Sequence, residues 1–169
     1  ASMRAFINCS EPCKAETFER FRQAFAQDGL RETALQNCYA MAEAVFAVSQ
    51  TPLSAAPGII VLDQSAMSRH GTKVSVAADH PTAARFMSCG RSIEGAGVRI
   101  KADAGQDVGE IQIAGDFIFG HYHRNPEDTE RAFEDGWYKT GDLGFIDAGE
   151  LYVCGRIKEL MIVHGRNYY

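Results

Sequence analysis

Apolar and polar positions in the first fifty residues follow two different periods. A short apolar run at residues 4–8 predicts a buried strand, and a second such run lies at residues 35–38. Between them, apolar side chains recur at helical spacing: Phe18, Phe21, Ala24 and Phe25. Gly29 accepts the left-handed conformation that commonly ends a helix, and a turn with a short helix is predicted near residues 41–48. Strand, helix and strand in this order are typical of an α/β layer.

The pattern changes at Thr51-Pro52, where short strands separated by glycine begin. The clearest of these predicted strands are residues 58–62, 73–77, 97–101, 109–114 and 151–154. One helix interrupts them and runs toward Phe133, because Asn125 followed by Pro126 and an acidic first turn is a typical helix start. Short strands at close intervals indicate a barrel or a sandwich. The sequence therefore predicts an α+β fold, in which an α/β layer precedes a mostly antiparallel β-barrel.

The end of the chain predicts an incomplete hairpin. Residues 158–163 have the pattern of a strand, and residues 165–167 that of a turn, but no partner strand is evident after it. A domain that stopped at this point would expose an apolar strand edge. We therefore expect the chain to continue past Tyr169 as an internal piece of a longer protein.

Composition narrows the classes of partner. The 169 residues are 46% hydrophobic and 23% charged, with a formal net charge of -5, which argues against a nucleic-acid partner. No apolar run approaches the roughly 20 residues that span a bilayer, so no membrane span is expected. The cysteines are odd in number and lack C-x-x-C spacing: Cys9, Cys13, Cys38, Cys89 and Cys154. This pattern indicates small buried thiols of a cytoplasmic protein rather than disulfides or a metal site.

Two neighbouring motifs carry side chains suited to a sugar or a phosphate. In Gly-Trp-Tyr-Lys-Thr-Gly-Asp-Leu-Gly, residues 136–144, we expect a tight turn that presents Asp142, whose carboxylate can accept from both hydroxyls of a ribose. In Gly-Glu-Leu-Tyr-Val-Cys-Gly-Arg-Ile-Lys, residues 149–158, Arg156 offers a fork of donors. Taken singly, Asp142 is better explained as a turn residue that bonds its own backbone, and Arg156 as a surface arginine.

A third motif lies upstream, at residues 37–43, Asn-Cys-Tyr-Ala-Met-Ala-Glu. The ring of Tyr39 can stack on a base, and the carboxylate of Glu43 can hold a divalent cation together with substrate phosphates, the usual arrangement for Mg²⁺. The alternative is a helix start with a core tyrosine and a surface glutamate.

Taken together and in this order, the motifs resemble the adenylate-forming superfamily of acyl-CoA synthetases, luciferases and peptide-synthetase adenylation domains. Residues 10–12 resemble its G-A-x-P turn and residues 39–43 its Y-G-x-T-E motif. Residues 109–115 and 120–122 resemble its G-E-I-x-x-x-G and G-Y-x-x-x-P segments. Residues 140–143 match T-G-D-L, and residues 155–158 match the G-R-x-D/K hinge motif. Ala40 departs from the usual glycine of the tyrosine motif.

Within this superfamily the chain most resembles the fatty acyl-AMP ligases. Its tail, residues 155–169, is similar to their G-R-x-K-D-L-I-I-x-x-G-R-N-H-Y run, and Ala42 stands where those ligases also have alanine. The long stretch at residues 52–86 resembles the insertion that marks the subgroup. The resemblance implies three parts: the end of an α/β subdomain at residues 1–52, a β-barrel subdomain with this insertion at 53–154, and the hinge with the first lid strands at 155–169.

The resemblance also implies a reaction and roles for individual residues. Full-length relatives join a fatty acid, or another carboxylic acid, to ATP to give acyl-AMP and pyrophosphate, often with an acyl carrier protein as acceptor. Tyr39 would stack on adenine, Glu43 would be catalytic and hold Mg²⁺, Asp142 would bind the ribose, and Lys158 would be the hinge. The remaining nucleotide contacts would be Ser10, Glu11, Pro12, Cys38, Ala40, Met41, Ala42, Val153 and Arg156.

Two parts of the reaction centre are missing from these residues. Relatives use an upstream Ser/Thr/Gly-rich loop and a lysine of the lid to bind phosphate, and neither occurs in the 169 residues. We therefore expect the isolated chain to be inactive and to bind nucleotide at most weakly. Two alternatives remain open at this point: a piece of an acyl-CoA synthetase or peptide-synthetase adenylation domain, and a non-catalytic nucleotide-binding module.

Overall fold

The structure, a computed structural model, describes residues 3–159, 161–163 and 166–168. Its α-helices are α1 (Ala15–Ala24), α2 (Gln64–His70) and α3 (Pro126–Ala132). Its strands are β1 (Phe6–Asn8), β2 (Leu35–Ala40), β3 (Ala47–Gln50), β4 (Ile59–Asp63), β5 (Ala83–Met87), β6 (Arg91–Ser92), β7 (Gly97–Lys101), β8 (Gly109–Ala114), β9 (Phe133–Glu134), β10 (Trp137–Asp147), β11 (Glu150–Arg156), β12 (Met161–Val163) and β13 (Arg166–Tyr168). Short 3-10 helices lie at Ala26–Asp28, Glu32–Ala34, Ala42–Ala44 and Ile157–Glu159.

The first sheet has the order β1-β2-β3-β6. Strand β1 pairs parallel with β2, and the crossover between them contains α1, as the strand-helix-strand pattern predicts. Helix α1 leads into a 3-10 turn that ends at Gly29, whose φ of 74° lies in the left-handed region. Strand β3 replaces the second half of the short helix predicted at residues 41–48, because its backbone pairs with β2.

The second sheet is antiparallel, with the order β11-β10-β8-β7 and β9 beside β10. Strands β7 and β8 have the predicted bounds. Helix α3 also begins as predicted, since the Asn125 side chain accepts a hydrogen bond from the Asp128 N–H at 3.2 Å. Over the residues described, the strand path is open, with β7 and β11 at its ends. The predicted mixed fold with mostly antiparallel pairing is confirmed, whereas a closed barrel is not.

Two antiparallel hairpins, β4-β5 and β12-β13, complete the strand pairing. The strand predicted at residues 73–77 is wrong, because the pairing there is limited to an isolated bridge between Ser75 and Leu62. This bridge uses the edge of β4 opposite β5, where the Asp63 N–H donates to the Val74 carbonyl at 2.8 Å. The prediction that the hairpin at the chain end lacks its partner strand is also wrong, since β13 pairs with β12. Arg166 and Asn167, predicted for the turn, lie in β13, and Gly165 lies outside the described residues.

Strand β11 separates two apolar clusters. Leu151 and Val153 face a cluster that contains Ile111 and Tyr138, whereas Tyr152 packs in a second cluster with Phe145. This alternation follows from the two-residue period of a strand. Both faces of β11 are therefore covered, and the strand lies next to the cavity described below.

Backbone groups join the two sheets at one seam. The Cys89 N–H donates to the Leu151 carbonyl at 2.7 Å, and the Leu151 N–H donates to the Gly90 carbonyl at 2.8 Å. Gly90 has φ 82°, and a Cβ at this position would lie 1.9 Å from the Gln50 carbonyl carbon. The close approach of the loop at Gly90 to Gln50 of strand β3 therefore requires glycine. Among the described residues, the structure contains no helix of the length and apolarity that crossing a membrane requires.

Candidate functional site

A cavity of about 630 Å³ opens at the carboxyl ends of β1 and β2. The two strands are parallel, so the segments that follow them emerge at one sheet edge, where α/β folds commonly bind ligands. Strands β10 and β11 of the second sheet form the opposite wall. The lining residues are Ser10, Glu11, Pro12, Cys13, Cys38, Tyr39, Ala40, Arg85, Phe86, Met87, Cys89, Asp142, Val153, Cys154, Gly155, Arg156 and Glu159.

A chain of three polar side chains crosses this cavity wall. The Tyr39 hydroxyl donates to Asp142 Oδ2 at 2.6 Å, and Arg156 Nε donates to Asp142 Oδ1 at 2.9 Å. Asp142 and Arg156 are direct partners in the β10-β11 register, whereas Tyr39 comes from β2. Three distant segments of the sequence therefore meet at one carboxylate.

The Asp142 carboxylate keeps capacity for a ligand. Its residue is 6% exposed, so the charge sits in a largely desolvated wall, where its two protein donors stabilise it. Two carboxylate oxygens offer about four acceptor positions, and the two donors occupy only half of them. Burial and the Asp142 charge raise the pKa of Tyr39 well above its ordinary value, so this hydroxyl stays a donor.

Thr140, Gly141 and Asp142 lie within strand β10 rather than in the predicted tight turn. The register of β10 shifts between Lys139 and Leu143 against β8, and again between Leu143 and Gly144 against β11. Gly141 has φ 72° at this irregularity. Such a bulge redirects a side chain without ending the strand, which places Asp142 toward the cavity.

Four predicted site residues lie outside the lining of this cavity. Glu43 is half-buried in the 3-10 helix Ala42–Ala44, where its backbone carbonyl accepts from the Phe119 N–H at 2.9 Å. Ala42 is exposed, and Met41 packs against the first apolar cluster. Lys158 is exposed in the 3-10 helix Ile157–Glu159. Within the described ranges, no group of three or more His, Cys, Asp or Glu residues could hold a metal ion.

Several lining residues have no signal in the sequence. Arg85, Phe86 and Met87 reach the cavity from β5, a strand that the apolar pattern does not predict. Cys13, Cys89 and Cys154 were expected only as small buried residues. Their position at the cavity depends on the pairing of the two sheets, which no local pattern encodes.

Comparisons with known proteins identify the family. The long-chain-fatty-acid–AMP ligase FadD32 of Mycolicibacterium smegmatis is 33% identical over 193 aligned residues, which cover 100% of this chain and 30% of the relative. A solved fatty acyl-adenylate ligase, from a study of E. coli and L. pneumophila enzymes, superposes with a TM-score of 0.89 at 30% identity. The match covers 98% of this chain and 31% of that one. The chain belongs to the adenylate-forming superfamily.

Within this superfamily, the similarity to fatty acyl-AMP ligases confirms the subgroup that the sequence motifs indicate. The medium-chain-fatty-acid–[acyl-carrier-protein] ligase JamA of Moorena producens is 34% identical over 100% of this chain and 31% of its own length. No protein-family model matches the chain. The chain spans about 30% of the length of the curated relatives it matches.

Proposed function

We propose that this chain is part of an ATP-dependent ligase that joins a fatty acid to AMP and releases pyrophosphate, and that it carries the adenine and ribose half of the site. The observation that carries the proposal is the cavity between the two sheets. Its lining includes all the nucleotide contacts predicted from the sequence except Met41 and Ala42. These residues come from β1, β2, β10, β11 and their flanking loops, so their convergence is independent of the motif spacing.

The chemistry of the lining suits a nucleoside. Asp142 has free acceptor positions for the ribose hydroxyls, and Arg156, with a side chain that is 65% exposed, can turn its remaining donors toward a phosphate. The ring of Tyr39 is held in place by its bond to Asp142 and lines the same cavity, where an adenine can stack on it. Ser10, Glu11 and Pro12 form the loop beside this ring.

Mg²⁺ binding is proposed for Glu43. One half-buried carboxylate fits a cation that draws most of its oxygen ligands from substrate phosphates and water, the usual arrangement for Mg²⁺. The ion would neutralise charge on the phosphates during adenylation. Glu43 would hold it beside, rather than within, the nucleoside cavity, and Lys158 would serve as the hinge of the lid.

The carboxylic acid and its acceptor complete the proposal. Because FadD32 is named a long-chain-fatty-acid–AMP ligase, we propose a fatty acid as the substrate of the full-length protein. JamA is named as a ligase that acts with an acyl carrier protein, which favours such a protein as acceptor. The five unpaired thiols support a cytoplasmic location.

The nucleoside site is tested by calorimetric titration with AMP. Asp142→Asn should weaken binding by about 1–3 kcal/mol, the range for charged hydrogen bonds. Asp147→Asn is the matched control, because Asp147 lies on the same strand, pairs with Lys73 at 2.9 Å and does not line the cavity. Equal AMP affinity of the wild type and the Asp142 variant would contradict the ribose assignment.

The reaction is tested on the full-length protein by pyrophosphate exchange with ATP and a fatty acid. We expect exchange, followed by acyl transfer to a carrier protein rather than to coenzyme A. Efficient transfer to coenzyme A would identify an acyl-CoA synthetase instead. The 169-residue chain alone should show no exchange, and robust turnover by it would contradict the expected need for the upstream loop and the lid lysine.

A further inference from the structure

The bulge of β10, residues 140–142, lies opposite a single residue of β8, Ile111. The antiparallel register between the two strands holds as far as Lys139 and resumes at Leu143. Three residues opposite one cannot continue a regular main-chain ladder, so the backbone groups of such a bulge need other partners. Asp142, the proposed ribose acceptor, is the last residue of the bulge, and its direction therefore depends on how these groups are bonded.

Two side chains supply these hydrogen bonds. Glu110 Oε1 accepts from the Gly141 N–H at 3.1 Å. The Thr140 hydroxyl donates to the Ile111 carbonyl at 2.7 Å and accepts from the Asp142 N–H at 3.1 Å. The two bonded N–H groups belong to the peptide units on either side of the Gly141 Cα. Side chains of β8 and β10 thus fix both of the peptide units that lead into Asp142.

The conformation of Gly141 makes the bulge dependent on these hydrogen bonds. Its φ of 72° lies in the left-handed region, and a Cβ at this position would meet no atom within 4 Å. Glycine adopts positive and negative φ about equally readily, and the open surroundings do not select between them. The bond to Glu110 has a carboxylate acceptor, and charge-assisted hydrogen bonds are roughly twice as strong as neutral ones. Glu110 is therefore the strongest local restraint on this peptide unit.

A buried amide fixes the Glu110 side chain in turn. Gln112 is 0% exposed, and its Oε1 accepts from Arg99 Nε at 2.8 Å. Because this bond commits the amide oxygen, the amide nitrogen faces the two carboxylates beside it. Gln112 Nε2 donates to Glu134 Oε2 at 3.0 Å and lies 3.5 Å from Glu110 Oε2. One oxygen of Glu110 thus faces the bulge and the other faces a fixed donor.

We propose that Glu110 and Thr140 are positioning residues, which hold the Asp142 carboxylate toward the ribose of the nucleotide. The inference rests on the proposed function, in which Asp142 accepts from the ribose hydroxyls. Neither Glu110 nor Thr140 lines the cavity, so both act through Asp142 and do not touch the nucleotide. A carboxylate fixed before the ligand arrives needs no ordering on binding, and this preorganisation increases affinity.

The inference is tested by calorimetric titration of the full-length protein with AMP and with 2′,3′-dideoxy-AMP, which lacks both ribose hydroxyls. The wild type should bind AMP about tenfold more tightly, as expected for hydrogen bonds to a charged acceptor. Glu110→Ala should weaken AMP binding about fivefold and leave the affinity for dideoxy-AMP unchanged, so that the preference for AMP falls to about twofold. Equal weakening of both ligands would indicate a merely structural role and overturn the proposal, as would an unchanged preference.

Conservative variants and a matched control complete the test. Glu110→Gln keeps an oxygen for the Gly141 N–H and should retain most of the preference for AMP. Thr140→Val removes the hydroxyl at similar volume and should reduce the preference, whereas Thr140→Ser should keep it. Glu134→Ala is the control, because the Glu134 carboxylate accepts from the same Gln112 but does not bond to the bulge. A reduced preference in Glu134→Ala, or an unchanged one in Thr140→Val, would contradict the assigned roles.

The wild-type titrations separate the failure of this inference from that of the proposed function. If the wild type bound AMP and dideoxy-AMP equally, the assignment of Asp142 to the ribose would fail, and the positioning roles would fail with it. If the wild type preferred AMP and Glu110→Ala kept the full preference, only the role of Glu110 would be refuted. Urea unfolding of each variant under the same conditions shows whether a change in affinity accompanies a loss of folded protein.

Discussion

Replacing Tyr39 by phenylalanine removes one hydroxyl group and leaves the ring in place. That hydroxyl donates to Asp142 Oδ2 at 2.6 Å, and the two residues are 7% and 6% exposed. A hydrogen bond to a charged acceptor contributes about 1.5–3 kcal/mol, and solvent competes little with a buried one. Tyr39→Phe should therefore lower the free energy of unfolding by about 2 kcal/mol.

Arg156 provides the comparison, because it donates to the other oxygen of the same carboxylate at 2.9 Å. Its side chain is 65% exposed, whereas that of Asp142 is 8% exposed. Water can replace the guanidinium on the open side of the pair, which brings its contribution toward the roughly 0–1 kcal/mol of exposed ion pairs. Arg156→Met, which keeps most of the aliphatic stem, should cost less than about 1 kcal/mol. The hydrogen bonds from Tyr39 and Arg156 thus differ in their contribution to the free energy of unfolding, although their lengths are similar.

Urea unfolding of the wild type and the two variants measures both costs, provided that the slopes of the transitions agree. The double variant tests whether the bonds are independent, since both share Asp142. If Arg156→Met lowered the free energy of unfolding as much as Tyr39→Phe or more, burial would not determine how much each hydrogen bond contributes to stability.

Two further predictions concern a glycine and a helix cap. Gly90→Ala should destabilise the protein by more than ~2 kcal/mol, because its Cβ would overlap the Gln50 backbone, whereas Gly105→Ala, also at positive φ but with no atom within 4 Å, should cost only ~1 kcal/mol in urea unfolding. The Thr82 hydroxyl, with the Ser65 and Ala66 N–H groups, lowers the pKa of Asp63 below its ordinary 3.8. The pKa of Asp63 is thus lower in the folded than in the unfolded protein, so its stabilising effect is present above pH 3.8 and is lost as the pH falls through the folded pKa. The difference in urea unfolding midpoint between the wild type and Asp63→Asn should therefore shrink from pH 7 to pH 3. A difference that stays constant over this range would contradict the role of the charge.

Local signals predicted the elements whose boundaries are set by nearby residues. Strands β7 and β8 begin at Gly97 and Gly109, and the Asn125 side chain caps α3, so each boundary is visible in the sequence. Periodicity likewise predicts α1, although α1 ends at Ala24 and Gly29 ends the 3-10 helix that follows it. Helix α2 was missed although Asp63 caps it with a hydrogen bond from the Ser65 N–H at 2.8 Å, because the helix spans only Gln64–His70.

The secondary-structure predictions are wrong where the strands that pair with a segment are distant from it in the sequence. Thr140-Gly141-Asp142 has the composition of a turn, yet β10 continues through it because β8 pairs with β10 before and after this segment, at Lys139 and Leu143. Strand β11 pairs with β10 from Asp142 onward. Val74 and Val76 alternate as in a strand, but their contact with β4 is limited to one isolated bridge at Ser75. The motifs nevertheless selected most of the cavity lining, whereas the hydrogen bond between Cys13 and Asn37 joins segments that only the folded chain brings together.

The seam between the sheets has a consequence for evolution. Cys89 and Leu151 join the sheets through main-chain groups, which every amino acid except proline provides in full. Substitutions in the apolar clusters can therefore accumulate while the cavity walls keep their spacing. The steric constraint on this segment lies at Gly90, where a side chain would collide with the Gln50 backbone of strand β3. We therefore expect this protein to tolerate substitutions in the apolar clusters more readily than any substitution of Gly90.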